Sequence, residues 1–135
     1  MKREIKFRIY DKKENKYFEP IYEAWKGKLL DLSITLSGEI IRRTLEMPAE
    51  HESMFPERYV IQSYIGITDK FDVEIYEGDI LQAEHGLCIV VWEDISWAVK
   101  SPGSEAIDYE NRMFFENCSV VGNIHDDAEL LEDAP

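Results

Sequence analysis

Cations are what this chain has least of. Lys and Arg total 15 against 28 Asp and Glu, a formal net charge of −13. Phosphate backbones are held by clustered cations, so this balance argues against a nucleic-acid partner. It argues equally against docking on an anionic membrane surface. Cysteine is scarce too, with only Cys88 and Cys118. Both sit among apolar neighbours. They read as buried free thiols in a reducing compartment, or as a disulfide if their two strands lie side by side. No apolar run is long enough to span a bilayer. The opening Met1–Lys6 lacks the apolar stretch of a signal peptide, which places the chain in the cytoplasm. Phosphate-binding loops, nucleophile elbows, zinc-protease motifs and paired-cysteine motifs are missing as well, so no cofactor is implied.

What is present reads as strands. Of 135 residues 44% are hydrophobic, enough for one domain with a real core. Ile5, Phe7 and Ile9 alternate with Lys6 and Arg8, the period of a half-buried strand. Asp11–Lys16 is a polar turn, with Tyr17-Phe18 returning. Further strands are expected over Ile21–Trp25, Leu30–Leu36 and Ile40–Leu45, then a surface loop carrying His51 over Met47–Pro56. Tyr59–Ile67, Ile80–Glu84, Leu87–Glu93 and Ile95–Val99 follow as strands, with His85-Gly86 as a hairpin tip. Residues 101–111 read as an exposed connection and Met113–Val121 as a return to the sheet. Asp126 or Asp127 is placed to cap a last helical turn. Many short strands between turn signals predict a mainly β fold with one or two short helices.

Four groups of residues are candidates for function. Tyr76-Glu77-Gly78-Asp79 puts two carboxylates beside a tyrosine, a set suited to a cation or a basic side chain. A structural role accounts for more of it, because glycine and aspartate shape tight corners. His125, Asp126 and Asp127 form a loose metal-ligand set, but helix capping explains most of it and no metal is assigned. His51 and His85 read as solvated surface side chains. The strand Leu87–Glu93 is apolar on both faces, yet one buried face suffices for a small barrel. Val90 and Trp92, with Trp97, are therefore candidates for self-association. Tyr10, Trp25, Trp92 and Trp97 are also able to stack on bases or on a peptide. Strand aromatics, however, usually pack cores and subunit contacts.

Three segments together resemble the YopX-like family of phage and prophage proteins. Phe7-Arg8-Ile9-Tyr10-Asp11 is similar to the family's opening, with Tyr10 where tryptophan is usual. Tyr64, Gly66, Asp69 and Lys70, followed by Ile75-Tyr76-Glu77-Gly78-Asp79-Ile80, are similar to its central signature. Here Phe71-Asp72 stands in place of an asparagine–glycine turn, so the hairpin tip must differ in type or length. Gly122-Asn123-Ile124 with Glu129-Leu130-Leu131 resembles the family's close. His125, Asp126, Asp127 and Ala128 replace its tyrosine, glutamate, asparagine and proline there. The resemblance implies an SH3-like barrel around the central motif, over residues 59–135, with an N-terminal β-rich lobe over residues 1–58. It implies a phage or prophage origin and no particular activity.

The role expected from these residues is a non-catalytic protein-binding or self-assembling module, acting on itself or on a host or phage protein. A second possibility is an acidic effector that engages a basic host protein. A third is a small metal-dependent hydrolase built on His125, Asp126, Asp127 or Glu77.

Overall fold

The computed structural model of the chain describes residues 4–18, 29–44, 48–93, 96–104 and 106–132. The expected strand Ile21–Trp25, together with Leu45, Met47 and Ile95, lies outside them. The chain divides into two compact units, one of Arg8–Ile61 and one of Met1–Phe7 with Gln62–Pro135.

In the first unit, β1 (Phe7–Asp11) pairs with β2 (Lys16–Tyr17), Tyr10 opposite Tyr17. The turn between them is organised by Asp11. Its Oδ1 accepts the amides of Lys13 and Glu14, and Asn15 supplies a positive φ of 56°. Arg58 forks onto the same carboxylate, Nε to Oδ1 at 3.0 Å and Nη2 to Oδ2 at 2.8 Å, with both side chains largely buried. A three-stranded sheet is made of β3 (Leu29–Ile34), β4 (Ile40–Thr44) and β5 (Glu50–His51), antiparallel throughout. A 3-10 turn, Glu52–Met54, follows at once. His51 thus sits in a strand opposite Ile41, not in a surface loop. Alternation along β1 is only partly kept. Ile9 and Tyr10 are buried, whereas Ile5, which lies ahead of the strand, and Phe7 at its first position are exposed.

In the second unit, which takes β6 (Tyr59–Thr68) from Gln62 onward, that strand pairs with β7 (Glu74–Tyr76) across a turn built on Asp69. Asp69 Oδ1 accepts the amides of Phe71 and Val73, and its Oδ2 accepts that of Val120. Asp72 takes the positive φ, 65°, at this tip. Five antiparallel strands form the second sheet of the unit: β8 (Asp79–Ala83), β9 (Gly86–Glu93), β10 (Ser96–Lys100), β11 (Ile107–Tyr109) and β12 (Ser119–Asn123). Their order is β11-β10-β9-β8-β12, a curled half-barrel with β11 and β12 at its edges. The molecule is mainly β, as the sequence predicts.

Two helical turns complete the unit, α1 (Arg112–Glu116) and α2 (Glu129–Glu132). The first corrects the expected strand at Met113. Asn111 Oδ1 accepts the Phe114 amide as an N-cap, and Asn117 Nδ2 donates to the Met113 carbonyl. These bonds wind Met113-Phe114-Phe115 so that Phe115 is buried and Met113 is exposed. Residues 107–109 likewise form β11 rather than part of an open connection. The core gathers Ile65, Ile75, Leu81, Cys88, Val90, Val99, Phe115 and Cys118. The two cysteines are free thiols.

Candidate functional site

The corner at Gly78 fits tightly because three elements converge on it. Gly78 has φ +85°, and a Cβ there would lie 2.3 Å from Gln62 Nε2. Its amide donates to the Val90 carbonyl and its carbonyl accepts the Ile124 amide, each at 2.9 Å. Asp79 is buried, and its Oδ2 accepts the Tyr76 amide at 2.8 Å. The Glu77 amide donates to the Ser63 carbonyl. Burial pushes the Glu77 carboxyl up, a trend the Ser63 backbone opposes. Residues 77–78 form a turn, so Glu77 and Asp79 do not share one face of an extended strand. The backbone employs Asp79, and the corner offers no open pair of carboxylates.

The closing segment is similarly self-contained. Asn123 Oδ1 accepts the amides of His125 and Asp126, an Asx turn. Asp127 Oδ2 accepts the Asn123 amide at 3.1 Å, and Asn123 Nδ2 reaches Asp126. A Cβ on Gly122 would lie 2.6 Å from that Asp127 carboxylate, so only glycine fits. A bulge between Val120 and Gly122 turns Val121 outward. The Asp126 and Asp127 side chains therefore face back toward Asn123 instead of capping α2. Through the Gly78–Ile124 bond the closing segment is tied to the central corner.

One His–carboxylate cluster escaped the sequence. Glu39, His51 and Glu52 each offer a ligand atom, all within 4.8 Å of one another. The ring of His51 is already committed, however. Its Nδ1 accepts the Ser53 amide at 3.1 Å and caps the 3-10 turn. The ring proton then resides on Nε2 and points to Glu39. A cation at Nε2 would have to displace that proton or break the cap. Finding this cluster required the β4–β5 pairing, which brings His51 to Glu39, twelve residues earlier in sequence.

Two depressions in the second unit remain open. The first is a cavity of about 470 Å³ between the β8–β9 hairpin, β11 and α1. Its floor includes Leu87, Cys88, Val99, Phe114 and Cys118; its rim includes Glu84, Asp108 and Glu110. Cys118 Sγ donates to the Phe114 carbonyl at 3.2 Å. Burial pushes the Cys88 thiol up to about 12, reinforced by Cys118, Glu110 and Asp108. Cys118 is raised as well, by burial and then by Glu110. Neither thiol is poised as a nucleophile. His85 stands at the lip of this cavity, on the two-residue turn joining β8 to β9.

The second depression is a cleft of about 350 Å³ lined by Ile65, Ile67, Trp92, Trp97, Arg112 and Phe115, among others. Trp92 and Trp97 are cross-strand partners, their rings edge to face at 4.8 Å. Trp92 is 48% exposed, while Trp97 packs against the core. Val90, the third residue expected at an interface, is 1% exposed and belongs to the core of its own unit.

Comparison with known proteins agrees with this architecture. Protein EF1440 from Enterococcus faecalis has a similar fold, with TM-score 0.58 and 24% identity over 94% of this chain and 97% of that one. The yopX protein of Bacillus subtilis is similar with TM-score 0.55 and 15% identity, over 92% of this chain and 95% of that one. Among curated protein sequences there is no match. The family model described as YopX protein matches residues 6–132, so the chain belongs to the YopX family.

Proposed function

We propose that the protein is a non-catalytic binding module that assembles with a second copy of itself through the surface around Trp92. The observation that carries this is Trp92 itself. A tryptophan half exposed on a strand, braced edge to face by Trp97 and lining a cleft that mixes apolar side chains with Glu110 and Arg112, is the kind of residue that anchors protein contacts. Of the groups that suggested catalysis, Asp127 accepts the Asn123 backbone amide and Asp126 meets the Asn123 side chain, and both thiols are held protonated. Within this proposal the curled five-stranded sheet is an SH3-like platform, an analogy from fold. The origin is a phage or prophage, and the setting is the cytoplasm, where free thiols such as these persist.

Sedimentation velocity on the wild type and Trp92→Glu tests the proposal. The wild type sediments as an oligomer. The variant sediments as a monomer with unchanged circular dichroism and melting temperature. Equal masses for the two proteins, or a variant that unfolds, overturn it.

A further inference from the structure

We infer that the cavity between the β8–β9 hairpin and α1 receives an arginine side chain from an extended peptide of a partner protein. This rests on the binding-module proposal and uses a different depression from the Trp92 cleft, although Glu110 lines both. The cavity joins two features that suit arginine. Its floor is apolar, with Leu87, Val99 and Phe114 among the lining side chains, and its volume is about 470 Å³. Its rim carries Glu84, Asp108 and Glu110, and no lysine or arginine is among the described residues that line it. No described residue forms an ion pair or hydrogen bond with these three carboxylates. Nearby basic groups are turned elsewhere: Arg112 pairs with Glu116, and Lys70 lies over the Phe71 ring.

Two further observations point inward. Cys88 lines the cavity at 6% exposure, and its Sγ has no hydrogen-bond partner among the described residues. After burial and Cys118, the charges of Glu110 and Asp108 also raise that thiol. The side-chain amides at the lip are already used. Asn111 caps α1, and Asn117 donates to Met113. The unmet demand is therefore for positive charge, delivered on an apolar stem. Guanidinium answers this better than ammonium, because it is less strongly hydrated, forks onto carboxylates and lies well against an aromatic ring such as Phe114.

A peptide is favoured over a free ion by the position of β11. It is an edge strand of the five-stranded sheet, and Asp108 is its central residue. An extended segment laid along that edge uses backbone hydrogen bonds for affinity and sets an arginine beside Asp108.

The test uses the full chain, labelled with nitrogen-15 and titrated with a capped alanine–arginine–alanine tripeptide. Saturable amide shifts are expected over residues 84–88 and 108–118. The citrulline counterpart, isosteric but neutral, should bind at least ~10-fold more weakly, or ~1.4 kcal/mol. Asp108→Asn with Glu110→Gln, at an exposed and a half-buried position, should bring the same loss with an unchanged melting curve. Shifts spread over the acidic surface, or equal binding of citrulline, overturn the inference. Guanidinium ion alone binding as tightly as the tripeptide overturns the peptide assignment. Trp92→Glu should bind the tripeptide normally, so failure here with assembly intact removes only the cavity. Loss of binding in that folded variant moves the site away from the cavity and overturns the inference too.

Discussion

Gly78 and Gly66 have nearly the same φ, +85° and +89°, in the same compact unit. They differ in space. Nothing lies within 4 Å of a Cβ built on Gly66, whereas one on Gly78 meets Gln62 Nε2 at 2.3 Å and Cδ at 3.2 Å. Replacing each by alanine therefore separates backbone strain from steric exclusion. The strain alone costs about 1–2 kcal/mol at either site. At Gly78 the amide of Gln62, 2% exposed and engaged in interactions of its own, must also be displaced. Loss of a buried hydrogen-bonding group adds about 1–3 kcal/mol. Gly78→Ala should accordingly fall below Gly66→Ala by that increment in urea unfolding, and by roughly 4–10 °C in melting temperature. Adding Gln62→Ala to both backgrounds should show a coupling of about 1 kcal/mol or more with Gly78→Ala and none with Gly66→Ala. Equal destabilisation of the two alanine variants, or absent coupling, would refute the steric account of the corner.

Other predictions follow from single groups. Burial works to raise the Asp69 carboxyl, but the amides of Val120, Val73 and Phe71, with Lys70, hold it below its ordinary 3.8. A depressed carboxyl contributes stability above its unfolded pKa and loses it as pH falls through the folded value. Asp69→Asn should thus cost about 1–3 kcal/mol at pH 7, a gap that closes on acidification below about pH 4 in urea titrations. Arg58→Ala leaves the Asp11 carboxylate enclosed without its fork and should cost about 2–4 kcal/mol by the same assay; a loss under 1 kcal/mol contradicts a buried pair. His51→Ala should cost about 1 kcal/mol by removing the cap of the 3-10 turn, while His51→Asn, another good cap, keeps most of it. Iodoacetamide at pH 8 should leave Cys88 and Cys118 unmodified in the folded chain and label both in urea, read by intact mass.

Strands were legible where local chemistry alone defines them. The β8–β9 hairpin follows from two alternating runs around a short polar break, and the Asp69 and Gly78 turns follow from residues whose own side chains or backbone freedom make the bend. Where the outcome depends on partners distant in sequence, the pattern fails. Met113-Phe114-Phe115 reads as strand because three apolar residues in one helical turn show no period. The usable signal was Asn111, a helix-capping residue three positions ahead of the Phe114 amide. His51 looks isolated until β4 and β5 pair and bring Glu39 to its ring.

The same distinction separates fold from function in this chain. The central and closing segments that carry the family resemblance meet at Gly78, which bonds Val90 and Ile124, while Asp79 holds the Tyr76 amide and Asn123 holds the turn that follows it. A segment whose hydrogen-bonding capacity is spent on closing the fold has little left for a ligand. The unspent capacity lies on residues with no motif about them: Glu84 on a hairpin turn, Asp108 on an edge strand, Glu110 before a helix cap, and Trp92 on a half-covered strand. Trp92 stands out in the sequence on a strand apolar on both faces, but the three carboxylates do not, because each becomes a candidate only when α1 and the curled sheet set it beside the others. Recognition by this protein is therefore expected to change when those positions are altered and to survive substitutions in the motif that leave the fold intact.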